Sequence, residues 1–518
     1  MSRQRVVLVT AGIMLSLLLA SMEGTVVATA MPTIVSHLGG LAVYSWVFSA
    51  FMLASTTPIP IFGKLSDRYG RRPVYAVAMA LFLFGSVLCG QAQTMPQLIA
   101  FRVVQGIGAG GVVPLAFTLI GELFSLEQRA KMQGLFSGVW GVSAIVGPLV
   151  GGFLVDQLSW PWVFYINVVP GLLAAALVSL AWQEKTRDDA RTFPPIDYAG
   201  AGLLTVGVVT LLLGLFTLGA GWGWALLALA AAPLVALVQV ERRARDPLLP
   251  VPLFRDRLFT IACSHGVLAG WAMFGSLSFV PLFVQAVLGT SATVAGTTLT
   301  PMMLGWTCAS IVGSRLLLRL SYRTLALTGM GLLTLGAGLM SRVSIDTSQA
   351  FLMLHLACMG IGMGLSVPAF LIAVQSTVRP YEMGVATSAI QFSRNMGGAL
   401  GVSVMGAALS WRLAARLAEA GVDTAVITVD SLLHPLGHTA TSVVWEGMLR
   451  QALADAMQGV FIIAVIAAAL GFVATALAPR GRINQLAAQR ANAEDRRPAT
   501  PISVAQSKSY RREESAIK

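Results

Sequence analysis

Three ionisable residues lie well inside apolar runs of a chain otherwise sparing with charge: Glu23, Arg102 and Arg394. A charge held in hydrocarbon costs about 2.5 kcal/mol or more, so each must face a polar cavity or a partner. At about 1.5 Å per residue, Glu23 stands about 24 Å from the inner end of its run and Arg102 about 8 Å from the outer end of another. In a hydrocarbon core about 30 Å thick these are similar depths. A carboxyl whose surroundings alternate between apolar and cationic can bind and release a proton. Glu23 is the candidate proton carrier, with Arg102 or a cationic substrate competing for it; the alternative is a static Glu23–Arg102 pair that joins two helices. Gln391 and Asn395, four apart, share a helical face with Arg394 beside them near mid-membrane. That group suits substrate or coupling work, or else serves carbonyls of a helix broken at Gly397 and Gly398. His265 and His355 are lone histidines suited to core or interface positions. Nowhere do a nucleophile, a base and an orienting group converge by spacing, so an enzyme is not expected. Cys89, Cys263, Cys308 and Cys358 show no disulfide or zinc spacing, and no metal or other cofactor is expected beyond a coupling proton.

The elements that position these residues are membrane spans. A chain of 518 residues, 56% hydrophobic and 11% charged, has more apolar surface than a soluble core can bury. Its net charge of +12 lies in short loops and the C-terminal tail rather than in a patch, which argues against nucleic acid. With about 20 residues per crossing, spans are predicted at 6–32, 43–62, 73–92, 97–120, 131–155, 161–183, 197–217, 222–241, 258–287, 293–317, 324–341, 350–374, 384–409 and 457–478. The first run is too long for a signal peptide and many spans follow it. The expected fold is an all-α polytopic membrane protein with fourteen transmembrane helices. Residues 1–183 would form an N-terminal six-helix bundle. Residues 184–257 would supply linkers and two inserted spans, and 258–478 a C-terminal six-helix bundle with an outer loop at 410–455. In that loop 411–417 reads as an amphipathic helix lying at the interface. Residues 479–518 read as a disordered cytoplasmic tail.

Residues 63–74 carry Lys64, Arg68, Arg71 and Arg72 against the one acid Asp67, a bias that marks the cytoplasmic side of a bilayer. The predicted outer loops 33–43, 91–96, 157–160 and 218–221 hold no Lys or Arg, so both termini are expected in the cytoplasm of a multi-pass inner-membrane protein. Gly63 and Gly70 would permit tight turns in a short loop. The Asp67 carboxylate would be held by the dipole at the start of the thirteenth span, and Arg71 could pair with Glu122. Together with Arg68, Arg72 and Arg129 these residues form a candidate cytoplasmic gate, closed in one state and open in the other.

The halves also repeat. Residues 106–114 match 360–368 at most positions, and the same offset aligns Gly147 with Gly401 and Gly152 with Gly406. Two six-span bundles so related are the architecture of a transporter that rocks about a central site.

The residues resemble the major facilitator superfamily, and within it the fourteen-span drug:proton antiporters. Residues 63–74 match its loop motif. Residues 98–110, with Arg102, Gln105, Gly106 and Gly108, are similar to the fourth-span motif associated with proton coupling, which adds Gln105 to the candidate coupling residues. Gly147, Pro148, Gly151 and Gly152 resemble the antiporter motif that pre-kinks a helix at the bundle interface, with Ser143 where its first glycine usually stands. Glu23 falls where the first-span motif usually has Asp. The resemblance implies proton-coupled export of amphipathic or cationic compounds by alternating access. Export of a specific metabolite, siderophore or lipid is the alternative, and a non-transporting scaffold or receptor the lesser one. The implied partners are a small-molecule substrate and the lipid bilayer, with an accessory envelope protein as a further candidate, and the protein is expected to be monomeric.

Overall fold

The computed structural model of the protein describes residues 2–38, 46–183, 197–217, 221–244, 251–290, 292–419, 440–482 and 485. The linker 184–196 and nearly all of the expected tail fall outside them. The described helices are α1 (Arg3–Leu38), α2 (Trp46–Thr56), α3 (Ile59–Tyr69), α4 (Arg71–Gly90), α5 (Met95–Leu123), α6 (Leu126–Gln157), α7 (Trp162–Tyr165) and α8 (Val168–Ala181). They continue with α9 (Tyr198–Phe216), α10 (Gly223–Arg243), α11 (Arg257–Leu282), α12 (Ala292–Leu316), α13 (Tyr322–Met340), α14 (Gln349–Thr377), α15 (Met383–Glu419) and α16 (Ala440–Ala476). Two crossings are interrupted: α2 and α3 break before Pro58, and α7 and α8 break at Ile166 and Asn167.

Among the described residues twelve helices are long and apolar enough to cross a membrane. The two others of the expected fourteen are α6 and α12. Both are long enough and pack on each other rather than standing wholly in lipid; α12 is rich in Thr and Ser and carries Arg315 near its end, while α6 holds an uncharged, largely apolar run over 138–155. The helices present apolar side chains outward, with Leu180 80% and Val169 75% exposed, as a bilayer requires.

Two expectations change. Residues 63–74 are not a loop: α3 runs to Tyr69, Gly70 alone leaves the helix at φ 99°, and α4 starts at Arg71. Only Gly70 needs glycine's freedom of turn. Gly63 is mid-helix and serves a close approach, because a Cβ there would lie 2.4 Å from Ser388 Oγ. The segment expected as an outer loop, 410–455, is helical in its described parts, since α15 continues to Glu419 and α16 begins at Ala440. Hydropathy falls after Leu409, but no Gly or Pro stops the helix between Ala407 and Glu419, so the stretch 411–417 extends α15 instead of turning along the interface.

The internal repeat is structural. Thr94 and Ser348 cap α5 and α14, and Pro114 and Pro368 sit inside them at equivalent places. Cβ atoms at Gly106 and Gly110 would strike Phe51 O and Ser55 O of α2, while those at Gly360 and Gly364 would strike Met302 O and Trp306 O of α12. Gly108 meets α4 at Phe82 as Gly362 meets α13 at Gly329. Matching glycines thus pack matching helices in each bundle.

The bundles meet along two seams, α3 with α15 and α6 with α12. In the second seam Ser137 Oγ donates to Ser310 Oγ at 2.6 Å and Thr307 Oγ1 to Ser137 O at 2.9 Å. The inserted α9 and α10 pack on each other, and the apolar cluster they form includes Met396 and Ala399 of α15, with Met52 of α2 and Ile61 of α3 against it. At the end carrying residues 63–74 one apolar core joins both bundles, running from Val9, Tyr75 and Leu115 to Phe259, Phe370 and Ala386. At the opposite end it divides in two, one cluster around Met31, Cys89 and Trp160, the other around Met273, Leu352 and Phe461. The bundles are therefore closed together at one end and separate at the other.

Candidate functional site

Glu23 of α1 and Arg102 of α5 meet in the N-terminal bundle, Arg102 Nη1 forming an ion pair with Glu23 Oε1. Both are buried, at 2% and 1% exposure, and a polar shell encloses them. Arg102 Nη1 also donates to Gln105 Oε1 at 2.7 Å, Arg102 Nε donates to Val47 O at 3.3 Å, and the guanidinium lies 4.0 Å from the centre of the Phe51 ring. Asn167 Nδ2 donates to the second carboxylate oxygen, Glu23 Oε2, at 2.8 Å and to Ser86 Oγ at 3.0 Å. Gln105 Nε2 donates to the same Ser86 Oγ at 3.0 Å, and that hydroxyl donates to Phe164 O at 3.0 Å. Three crossings, α1, α5 and α7–α8, thus meet at one carboxylate, and α2 and α4 complete its shell.

The backbone explains the convergence. Gly85 of α4 touches α5 where a Cβ would be 2.3 Å from Gln105 N, which brings Ser86 against Gln105. The interruption between α7 and α8 brings Asn167 to the carboxylate. Asn167, Ser86 and Phe51 were not among the expected site residues. Asn167 carried a signal, as an amide inside an apolar run; Ser86 and Phe51 carried none, because small and aromatic residues are ordinary in such helices.

The glycines of the fifth span serve α1. Cβ atoms at Gly147 and Gly151 would lie 2.0 Å and 2.1 Å from Thr25 Oγ1 and Thr29 Oγ1, on the helix that carries Glu23. They face α1 of their own bundle rather than the other bundle, α6 is continuous through Pro148, and Gly152 faces open space. Ser143, which replaces the usual glycine, shares a 2.5 Å hydrogen bond with Ser21 Oγ of α1.

A second cluster closes the α3–α15 seam. Asp67 accepts from the Gly384 and Val385 N–H groups at 3.0 and 2.8 Å, in the first turn of α15, where helical N–H groups lack partners of their own. Arg71 Nη1 pairs with Asp67 Oδ1 at 2.5 Å and Arg71 Nη2 with Glu122 Oε1 at 2.6 Å, so one guanidinium ties α4 to α3 and α5. Arg129 Nη1 reaches Gln375 O of α14 at 3.4 Å, and Gln375 Nε2 donates back to Phe117 O of α5 at 3.4 Å. Gln375 is a further cross-bundle contact that sequence reasoning missed. Arg68 lies 5.6 Å from the centre of the Tyr69 ring and Arg72 is exposed, so neither belongs to the buried part of this cluster.

Gln391, Arg394 and Asn395 share α15 but are not brought to the Glu23 network. α15 is unbroken through Gly397 and Gly398, which instead let α11 and its side chains approach, Gly397 at Val267 O and Gly398 at Phe274. The carbonyl-satisfying role weighed for Arg394 is therefore not its role here. His265 and His355 are buried against Phe370 and Phe351, with ring centres 4.8 and 4.2 Å apart.

A sequence profile described as the Major Facilitator Superfamily matches residues 13–402. Multidrug transporter protein MdtP of Bacillus subtilis (strain 168) is 38% identical over 464 residues, covering 88% of this chain and 84% of that one. The chain belongs to the major facilitator superfamily. Multidrug resistance protein 3 of the same organism is 38% identical over 404 residues, 77% of this chain and 78% of its own, and such relatives put the chain in the drug-efflux part of the superfamily. Among solved structures the proton:xylose symporter XylE superposes with a TM-score of 0.59 over 90% of this chain and 95% of its own; at 12% identity it shares the fold alone.

Proposed function

We propose that the protein exports amphipathic or cationic compounds across the cytoplasmic membrane in exchange for protons, by alternating access. The observation that carries this is the enclosed Glu23–Arg102–Asn167 network. A carboxylate held by one cation and one amide on separate helices changes its ties to both when it takes up a proton. Protonation removes the counter-charge of Arg102, which keeps Gln105, Val47 O and the Phe51 ring, and loosens Asn167. Helix α1, which also carries Thr25 and Thr29 against Gly147 and Gly151, is then released relative to α5 and α7–α8. The second element is the Asp67–α15 contact, two-state by construction: a carboxylate either caps the helix across the seam or is exposed when the seam parts.

The names of the relatives support a drug cargo, and the excess of basic residues at 63–74 supports a cytoplasmic position for the closed end. The state described, closed at that end, is then the outward-facing one. The experiment is dye efflux and proton release in proteoliposomes under an imposed pH gradient, with the parent and Glu23→Gln. The expected outcome is gradient-driven movement of ethidium by the parent and none by the variant. A parent that moves no member of a broad cation panel would end the drug-export reading, and a fully active Glu23→Gln would end the assignment of the proton to Glu23.

A further inference from the structure

Two arginines within membrane spans have different surroundings: Arg102 is buried and Arg394 is half-buried. Arg102 has an acid, an amide, a carbonyl and an aromatic face. Arg394 has none of these: its Nε is buried without a partner, and among the described residues no hydrogen bond or ion pair reaches Arg394, Gln391 or Asn395. The same bundle offers little in their place: Asp455, near the start of the membrane-length part of α16, is bonded to Gln451 at 3.0 Å. The runs 258–287, 293–317, 324–341, 350–374, 384–409 and 457–478 contain no Asp or Glu at all. The acid within the N-terminal network, Glu23, is taken by Arg102 and Asn167. A guanidinium keeps its charge, and an uncompensated one inside a membrane protein costs several kcal/mol.

The helix shows which way the cluster faces. Gly384, Ser388, Gln391 and Asn395 form one stripe at spacings of four, three and four. Its lower half meets the other bundle, with Gly63 against Ser388 and Gly384. The other sides of α15 are occupied: Gly397 and Gly401 lie on α11, and Met396 and Ala399 lie in the cluster of α9 and α10. Gln391 and Asn395 therefore continue the stripe into the region where the bundles separate, and Arg394 stands between that stripe and α11.

We propose that Arg394, Gln391 and Asn395 form an anion-binding subsite for an acidic group of the cargo, so that the transported class includes carboxylate or sulfonate amphiphiles, anionic or zwitterionic, alongside cations. The guanidinium supplies the charge and a bidentate fork, and the two amides supply further donors. This rests on the reading that cargo passes between the bundles.

The test uses the full-length protein in phosphatidylcholine nanodiscs, free of anionic lipid. The probes are dansyl-phenylalanine, a carboxylate, and its neutral methylamide. The parent is expected to bind the carboxylate at least tenfold tighter. Arg394→Gln should remove that preference, with methylamide binding that is still measurable reporting an intact fold, and Arg394→Lys should retain part of it. Equal affinity of the parent for both probes overturns the proposal without recourse to any variant, as does a preference that survives in Arg394→Gln. Ethidium efflux in proteoliposomes is scored separately. A parent that moves ethidium but lacks the carboxylate preference keeps the efflux reading and loses the subsite; one that shows the preference without ethidium efflux does the reverse.

Discussion

Asn167 holds the oxygen of Glu23 that Arg102 leaves free: its Nδ2 lies 2.8 Å from Oε2 while the guanidinium takes Oε1. The carboxylate is thus shared between the break in the sixth crossing and the fourth. A hydrogen bond to a charged group contributes about 1.5–3 kcal/mol. Asn167→Ala is expected to lower gradient-driven efflux about tenfold or more at unchanged protein level in the membrane. Efflux equal to the parent would remove Asn167 from the coupling network.

The same pair separates a structural role from a coupling role. Removing one partner of a buried ion pair strands the other, at about 3–5 kcal/mol, whereas removing both often costs little. Arg102→Met should therefore lower the melting temperature in detergent by several degrees, and Glu23→Gln combined with Arg102→Met should recover most of that loss. The double variant should still show no proton-driven efflux. A double variant that regains efflux would make the pair a structural tie only.

Much of this was legible in the sequence, for physical reasons that differ between elements. The cost of charge in lipid singles out Glu23, Arg102 and Arg394 before any fold is known, and matched depth brings the first two together. The Asp67 contact with α15 followed from the topology and a helix dipole, and it is present at the Gly384 and Val385 N–H groups. Hydropathy does not reveal where a helix ends once it leaves the membrane, so α15 and α16 ran past their expected limits. Nor does it reveal the partner of a residue such as Ser86, whose place in the network depends on a close approach of α4 to α5 at Gly85.

The gate can be tested by accessibility. Asp67 contributes two hydrogen bonds across the seam and one ion pair beside it. Asp67→Ala should shift the population toward the state open at that end by more than tenfold, about 1.4 kcal/mol. The readout is maleimide labelling of Ser388→Cys, which is protected in the described state by Gly63 and should react faster in the Asp67→Ala background. Equal labelling in both backgrounds would show that Asp67 does not hold the seam.

Gly63 offers a size test at the same seam. A Cβ at position 63 would lie 2.4 Å from Ser388 Oγ and 2.9 Å from Gly384 O. Overpacking of this kind costs about 1–3 kcal/mol, and here it acts only on the closed state. Gly63→Ala is expected to lower efflux about tenfold, and adding Ser388→Gly should restore part of it, because the Gly384 carbonyl remains in the way. Absence of any rescue would mean that the loss arises elsewhere than at this contact.

The α6–α12 seam tests the rocking motion itself. Ser137 Oγ and Ser310 Oγ are 2.6 Å apart, a separation that two cysteine sulfurs can bridge without large backbone movement. Ser137 lies in the first half of α6 and Ser310 near the end of α12, so the pair sits toward the closed end of the molecule. If the bundles part there during transport, oxidised Ser137→Cys/Ser310→Cys should be inactive and regain efflux on reduction, with each single variant active throughout. If oxidation forms the cross-link and efflux continues, this seam stays closed through the cycle. Cargo would then have to pass the closed end by parting α3 from α15 alone, with the Asp67 contact carrying the whole of the switch.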